Sequence, residues 1–262
     1  MKLYPAMLKE ITKYIDKNET IVIGVSGGPD SMALFNLLNS AAKKYNLKII
    51  AAHFNHMLRG AESTRDMEFV RNEAIKAGNI FVVRQKDINA LNKKTGFGTE
   101  KTAREERYRF FIETALEHNA SKIALAHNMD DNAETILFRL IKGTGTRGLC
   151  GIPAQRKVTD GEFGIKDMKL TDADISIIRP VLKFSKKQII SYLKERKQKF
   201  ITDSSNSKSI YQRNIIRNKL LPLVEKEMNP AVKECLVRNA VIAANEEDFM
   251  HAETEGFLRK TS

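Results

Sequence analysis

A short segment rich in glycine and serine carries a single carboxylate between an apolar run and an amphipathic run. We call this segment the phosphate loop, and it consists of Ser26, Gly27, Gly28, Pro29, Asp30 and Ser31. Glycines let a backbone approach a ligand closely, and the N-terminus of a following helix attracts anions. Because Asp30 would repel bound phosphates, a divalent cation is expected between them, which predicts Mg²⁺ held by Asp30. The alternative is an ordinary strand-to-helix turn in which Asp30 favours the helix N-terminus.

The phosphate loop differs from two common nucleotide-binding loops. It contains neither Gly-x-x-x-x-Gly-Lys-Ser/Thr nor Gly-x-Gly-x-x-Gly, and no lysine lies in the turn. Pro29 suits the first turn of a helix, because the N–H that proline lacks has no helical partner there. The sequence therefore predicts a helix starting within the loop and a phosphate site of another type.

A second polar cluster follows the next apolar run, in the stretch HFNHMLRGAES. It contains His53, Asn55, His56 and Arg59. Two histidines three residues apart are compatible with a metal site, but no further His or Cys cluster accompanies them. Structural or substrate-positioning roles are therefore the favoured interpretation.

A third cluster is basic and has helical spacing. Arg104, Arg107 and Tyr108 follow one another at i, i+3 and i+4, which places them on one helical face. A solvated basic face paired with Glu105 and Glu106 is the alternative.

The fourth cluster contains His127 and three acids, Asp130, Asp131 and Glu134. Asp131 and Glu134 are three residues apart, so both carboxylates face the same way on a helix. An attacking amine bound there would have its ammonium neutralised and would find a base nearby. The alternative is that acids at a helix start interact favourably with the helix dipole.

Alternating short apolar runs and longer periodic segments position these clusters. The predicted strands are Ile21–Val25, Lys48–Phe54, Ile80–Val83, Lys122–His127 and Ile175–Leu182, with helices between them. Such alternation predicts an α/β fold with a doubly wound parallel sheet that binds ligands beyond the carboxyl ends of its strands. A polar stretch around Val158–Ile175 is expected to be a hairpin or an insertion. Ser185 is predicted to cap a helix, and only helical signals follow Lys219.

The composition favours a globular, basic protein. The 262 residues contain 44 Lys and Arg against 32 Asp and Glu, a net charge of +12 that would attract polyanions. The alternative is a protein that is merely basic. Cys150 and Cys235 lie 85 positions apart, which argues against a disulfide framework or a Cys-rich zinc site. With no signal-peptide core and no stretch near the roughly 18 apolar residues of a membrane span, a cytoplasmic protein is expected.

Taken together, the clusters resemble the tRNA(Ile)-lysidine synthetase family of the PP-loop ATP pyrophosphatase superfamily. The resemblance runs from Ile21 to Val224. Its blocks are SGGPDS, HFNHMLRGAES, AREERY, AHNMDDNAET followed by GTGTRGL, and DSSNSKSIYQRNIIRNKLLP. The last block, Asp203 to Pro222, is the most discriminating. Sulfur-inserting relatives use catalytic cysteines or an iron–sulfur cluster, and this chain has no Cys pair for that purpose.

The resemblance implies an adenine nucleotide α-hydrolase-like fold and a two-step reaction. ATP would adenylate the C2 oxygen of the wobble cytidine in tRNA(Ile) with a CAU anticodon, and free lysine would then displace AMP. ATP and Mg²⁺ are the implied cofactors, with Asp30 and Asp131 on the metal. The implied catalytic residues are Asp30, Arg107, Asp131 and Glu134. The implied substrate-binding residues are His53, Asn55, His56, Arg59, Arg104, His127, Arg213 and Arg217.

The resemblance also suggests how the chain is divided. Residues 1–218 are predicted to form the catalytic domain, and residues 219–262 a linker helix and the start of a helical tRNA-contacting domain, either naturally small or cut short. Two other functions stay open: a different tRNA-base-modifying PP-loop enzyme, such as a thiolase, and a catalytically idle RNA-binding module. A homodimer is also left open.

Overall fold

A computed structural model describes residues 3–57, 60–95, 98–159, 162–164, 174–202 and 212–261. The chain forms two compact units. The first comprises Met1–Ala126 and Ala154–Asp203, and the second comprises His127–Pro153 and Ser204–Ser262. The predicted domain boundary after residue 218 stays a prediction.

The first unit is built on one six-stranded sheet. Its strands are β1 (Thr20–Gly24), β2 (Lys48–Asn55), β3 (Ile80–Gln85), β4 (Lys122–Ala124), β5 (Gln155–Lys157) and β6 (Ser176–Ile178). The order across the sheet is β3-β2-β1-β4-β6-β5. All neighbouring pairs from β3 to β6 are parallel, and Ile21 of β1 lies between Ile49 and Lys122 in the register. The predicted parallel arrangement is confirmed for these five strands.

The edge strand β5 adds one antiparallel pair to the predicted parallel sheet. Gln155–Lys157 pairs antiparallel with β6, and Arg156 lies opposite Ile177. The three residues are polar, so they show no apolar alternation by which a strand is recognised. A polar strand is stable at this position because an edge needs a partner on one side only. Most of the stretch expected as a hairpin or insertion lies outside the described residues.

Helices cover both faces of the sheet. The helices of the first unit are α1 (Leu3–Ile11), α2 (Pro29–Tyr45), α3 (Ala61–Lys76), α4 (Ile88–Thr95), α5 (Thr99–Glu117) and α8 (Lys186–Glu195), with a 3₁₀ turn at Glu162–Gly164. One core contains Ile21 and Ile23 with residues of α1, α2 and α8, and a second contains Val22 with residues of α5. Successive strand residues thus enter opposite cores, which confirms the doubly wound prediction.

Two strands are shorter than the apolar runs that predicted them. β4 ends at Ala124, although the run continues to His127. β6 ends at Ile178, and the chain turns after Arg179 at Pro180, which has no N–H to donate to a ladder. Arg179 therefore directly follows the carboxyl end of β6.

The second unit is helical. It contains α6 (Met129–Lys142), α7 (Thr146–Leu149), α9 (Gln212–Ile215), a π-helical segment (Ile216–Leu220), α10 (Leu221–Glu227) and α11 (Val232–Thr261). The prediction of helices after Lys219 is confirmed. Within the described ranges, no helix is long and apolar enough to span a bilayer.

Candidate functional site

The hydroxyl groups of Ser26 and Ser31 fix the shape of the phosphate loop. The two Oγ atoms are 3.1 Å apart, and Ser31 Oγ also donates to the carbonyl oxygen of Gly28 over 3.0 Å. Ser31 Oγ accepts from Ser26 N at 3.2 Å. Gly28 is the N-cap of α2 and Pro29 is at its first turn, as predicted. Because glycine has no side chain to cap the helix, the first turn presents its backbone N–H groups next to the loop.

Position 27 favours glycine because of its backbone conformation and because a side chain has no space there. Its φ is +89°, and a Cβ at this position would lie 2.6 Å from Ile201 Cδ1. The Gly27 carbonyl also accepts a hydrogen bond from Ile201 N at 2.8 Å. The loop backbone is therefore held in a left-handed conformation by a distant segment.

His53 braces the strand that enters the loop. Its Nδ1 is 2.8 Å from the carbonyl oxygen of Val25, and the side chain is buried. Burial lowers the pKa of His53, so the ring is neutral, and Nδ1–H donates because a carbonyl can only accept. The substrate-binding role of His53 stays a prediction.

Asn55 and His56 shape the turn that follows β2. Asn55 Oδ1 accepts from Met57 N at 2.9 Å, and its Nδ2 donates to Ser63 O at 3.4 Å. The His56 ring lies 4.7 Å from the Phe54 ring, centroid to centroid. Both residues therefore have structural contacts, and their predicted substrate contacts are not tested. Arg59 lies outside the described residues.

Asp30 contacts a lysine that the sequence pattern did not identify. Lys186 Nζ lies 2.5 Å from Asp30 Oδ2, and 23% of the Asp30 side chain is exposed. Lys186 is the first residue of α8 and lies 156 positions along the chain. The phosphate loop thus acquires from a distant helix the basic side chain that it lacks in sequence.

The surroundings of Asp30 fit a Mg²⁺ ion that arrives with a nucleotide. Mg²⁺ commonly binds one or two carboxylates together with substrate phosphates and waters. In the described part of the chain, no three His, Cys, Asp or Glu side chains gather into a protein cage. A partly exposed loop carboxylate next to a helix N-terminus suits an ion shared with phosphates.

Arginines surround Tyr108 on α5. The guanidinium carbons of Arg104 and Arg107 lie 4.9 and 5.9 Å from the Tyr108 ring centroid. Tyr108 also stacks on Phe163, with 4.3 Å between centroids. Arg104 and Arg107 therefore share one aromatic side chain, as their helical spacing predicts.

The electrostatics of this cluster are strongly positive. Burial raises the pKa of Tyr108, but Arg104, Arg179 and Arg107 together hold it below its usual value. Burial lowers the pKa of Arg179, which is 3% exposed. Glu106, expected as a partner for a solvated face, instead contacts Lys86 and Arg109. An anion is stabilised in such a field. Arg179 was missed, although it lies within the predicted strand Ile175–Leu182.

In the second unit, the start of α6 carries a capping box. Asn128 Oδ1 accepts from Asp131 N at 3.0 Å, and Asp131 Oδ2 accepts from Asn128 N at 3.1 Å. Asp131 therefore helps to cap the start of α6. This agrees with the alternative interpretation, in which these acids stabilise the start of a helix. Asp130 contacts Lys233 of α11 at 2.8 Å.

Arg217 contacts both acids that were expected to bind an amine. Its Nε donates to Glu134 Oε1 at 2.6 Å and its Nη2 to Glu134 Oε2 at 2.8 Å. The same Nη2 lies 3.2 Å from Asp131 Oδ1. The prediction that Asp131 and Glu134 share one helical face is thus confirmed by their common partner.

Arg213 and His127 belong to the same unit. Arg213 Nη2 donates to Thr135 Oγ1 at 3.2 Å, and its guanidinium carbon lies 5.8 Å from the Phe138 ring centroid. His127 is half-buried just before α6. The predicted substrate contacts of Arg213, Arg217 and His127 stay predictions. The first part of the block from Asp203 to Pro222, residues 203–211, lies outside the described residues.

The fold and the loop agree with a known class of nucleotide-binding domain. The family model of a PP-loop domain matches residues 3–224, so the chain belongs to the PP-loop domain family. This confirms the superfamily predicted from SGGPDS.

Curated relatives indicate which enzymes of the PP-loop family the chain resembles. The chain is 41% identical to the tRNA(Ile)-lysidine synthase of Clostridium tetani, over 85% of this chain and 44% of the relative. It is 36% identical to that of Chlorobaculum tepidum, over 91% of this chain and 66% of the relative. The chain spans about half the length of most curated relatives it matches. The resemblance predicted from the sequence motifs is confirmed.

A solved structure supports the fold. The U34-tRNA thiolase NcsA from Methanococcus maripaludis, with its 4Fe-4S cluster, superposes with a TM-score of 0.70 at 18% identity. The match covers 91% of this chain and 78% of the thiolase. At this identity the likeness supports the α/β architecture alone.

Proposed function

We propose that the chain catalyses ATP-dependent ligation of lysine to the C2 position of the wobble cytidine in tRNA(Ile) with a CAU anticodon. The observation that carries the proposal is its similarity to several curated tRNA(Ile)-lysidine synthases at 33–41% identity across most of the chain. The shaped phosphate loop supports the use of ATP.

The first step forms an adenylated base. The C2 oxygen attacks the α-phosphorus of ATP, a P–O bond forms, and pyrophosphate leaves with the electrons of the broken bond. The phosphate loop binds the departing phosphates through backbone N–H groups and the start of α2. Bound Mg²⁺ would neutralise phosphate charge, with Asp30 as its protein ligand. Arg104 and Arg107 supply positive charge for the anionic transition state.

The second step transfers lysine. The ε-amino group attacks C2, and AMP leaves with the former C2 oxygen. The amine must first lose a proton, because a lysine ammonium has a reference pKa near 10.4. Glu134 and Asp131 are the proposed acceptors, because their carboxylates lie close enough together to share the Arg217 guanidinium and so could bind the ammonium as well.

The proposed binding of tRNA is supported by the charge of the protein. The net charge of +12 favours a polyanion, and Arg213, whose guanidinium donates to the Thr135 hydroxyl, is the proposed phosphate contact. A reaction between tRNA, ATP and free lysine places the proposed activity in the cytoplasm.

Thiolation of a tRNA base is supported only by the fold likeness. Cys150 and Cys235, both free thiols, do not form a Cys-x-x-Cys pair in the sequence. The curated relatives therefore favour lysine ligation.

The proposed reaction is tested by incubating the protein with ATP, radiolabelled lysine and tRNA bearing CAU. Label should enter the tRNA only when ATP is present, and a tRNA with uridine at the wobble position serves as the matched control. Release of AMP without labelled tRNA would remove the substrate assignment, and sulfur transfer from a donor would favour the thiolase.

A further inference from the structure

Lys186 is the basic side chain that the phosphate loop lacks in its own sequence. Residues 26–31 contain one charged side chain, Asp30, and it is negative. In the folded first unit, Lys186 Nζ lies 2.5 Å from Asp30 Oδ2. We propose that Lys186 is the ammonium that binds the β- and γ-phosphates of ATP at this loop. The proposal deepens the proposed function, because it assumes that the loop binds ATP.

The position of Lys186 is set by rigid structure. Ser185 caps α8 through a capping box with Gln188, so that Lys186 begins the helix. Ile189 and Leu193 of α8 are fully buried. The helix is therefore anchored in the core, and the stem of Lys186 starts from a fixed point beside the loop.

A second contact ties α8 to the helix that follows the phosphate loop. Tyr192 Oη donates to Asn36 Oδ1 of α2 at 2.5 Å, and Asn36 Nδ2 donates to Gln198 Oε1 at 3.0 Å. Because α2 begins in the loop and α8 begins at Lys186, this link keeps the two helix starts in register. Lys186 is thereby brought to the loop by the same packing that builds the first unit.

The contact between Lys186 and Asp30 is suited to exchange. The Lys186 side chain is 43% exposed, and ion pairs with this exposure add little to stability. A lysine has a long flexible stem and a compact charge with three donors, so its ammonium can move a few ångströms to a nearby anion. Phosphate oxygens carry more charge than one carboxylate, and charge-assisted hydrogen bonds to them are strong. Asp30 thus holds the ammonium at the loop until phosphates arrive.

Lys187 provides a matched control. It is the next residue of α8, carries the same charge and is exposed, but it lies about 100° further around the helix. Neutralising Lys187 removes one positive charge from the same helix turn without removing the contact with Asp30. Any difference between the two variants reports the position of the charge and not the net charge.

The test is calorimetric titration of the wild type, Lys186→Gln, Lys186→Arg and Lys187→Gln with Mg-ATP, inorganic pyrophosphate and AMP. Lys186→Gln should bind Mg-ATP and pyrophosphate about tenfold or more weakly, while AMP, which lacks the β- and γ-phosphates, binds as before. Lys186→Arg should retain most of the affinity, and Lys187→Gln all of it. The melting temperatures of all four proteins should agree closely.

Wild-type affinity of Lys186→Gln for Mg-ATP and pyrophosphate would overturn the assignment. So would an equal loss for AMP and pyrophosphate accompanied by a lower melting temperature, since that is the signature of a structural pair. If the wild type binds Mg-ATP and these differences hold, but no lysine enters tRNA, the proposed function fails and Lys186 stands. If the wild type binds neither Mg-ATP nor pyrophosphate, both are overturned.

Discussion

Asp30 and Glu134 each contact a basic side chain from a distant part of the chain, but the two contacts differ in geometry and exposure. Asp30 meets the Lys186 ammonium through Oδ2, and 23% of its side chain is exposed. Glu134 is 6% exposed, and both of its oxygens accept from the Arg217 guanidinium. The first pair is a point contact near solvent, and the second is a planar two-bond contact to a buried acid.

This difference in exposure predicts which substitutions affect the reaction and which affect the stability of the fold. A partly exposed ion pair contributes little to the free energy of unfolding, so its partners can exchange for a ligand. A buried carboxylate that loses its partner is strongly destabilising, so Arg217 must hold Glu134 when no lysine is bound. Substitution of Asp30 should therefore impair the reaction more than folding, and substitution of Arg217 should impair folding as well.

The largest expected effect is on lysine transfer. Glu134→Gln should slow transfer by about 10²–10⁴-fold, the usual contribution of a general base, while adenylation of the cytidine stays measurable. Single-turnover assays that follow pyrophosphate and labelled tRNA separately would resolve the two steps. Loss of adenylate formation with normal lysine binding would move Glu134 to the ATP and metal site.

Asp30→Asn should abolish most Mg²⁺-dependent pyrophosphate release, by about a hundredfold or more, because the ion would lose its protein ligand. The fold should be retained, since Asp30 is partly exposed. Pyrophosphate release over a Mg²⁺ series, with urea unfolding of the same samples, checks both parts. An unchanged rate in saturating Mg²⁺ would show that Asp30 only favours the helix start.

Arg217→Ala should lower the free energy of unfolding by about 1–3 kcal/mol, because it leaves Glu134 buried without its two charge-assisted bonds. Arg213→Ala removes a hydrogen bond to the Thr135 hydroxyl and a contact with the Phe138 ring, and should cost less, about 1 kcal/mol. Urea denaturation of both variants measures the difference. Equal stability of the two variants would show that the buried Glu134 carboxylate does not depend on Arg217.

Gly27→Ala tests whether the backbone of the phosphate loop is rigid, although the Asp30–Lys186 ion pair is partly exposed. The left-handed φ of +89° and the close approach of Ile201 predict a loss of about 1–3 kcal/mol in stability. Gly28→Ala is the control for folding, since its φ is −71° and the nearest atom, Ser26 Oγ, is 3.5 Å from the added Cβ. A stable Gly27→Ala protein would show that the loop rearranges freely.

The smallest effect concerns tRNA binding. Affinity should fall about tenfold between 50 and 200 mM salt if two or three phosphates are neutralised. Arg213→Ala should lower the slope of log affinity against log salt by about one. Arg217→Ala should change the slope less, because Arg217 is paired with Glu134. Filter binding over a salt series measures both slopes, and a salt-independent affinity would reject the basic-face contact.

Much of the first unit was determined by local sequence. The alternation of apolar runs and periodic segments predicted β1, β2 and β3 and the helices α2, α3 and α5, because burial on two faces imposes those periods. The glycines of the phosphate loop, Pro29 at the start of α2 and Ser185 at the start of α8 were also predicted, because caps and tight turns depend on one or two residues.

The partners of the acids were decided by tertiary structure alone. Lys186 lies 156 residues from Asp30, and Arg217 lies 83 residues from Glu134. Neither pair leaves a periodic signal, since each depends on how distant helices pack and not on local spacing. The polar edge strand β5 was missed for the same reason, because its pairing with β6 is set by the sheet and not by its own residues.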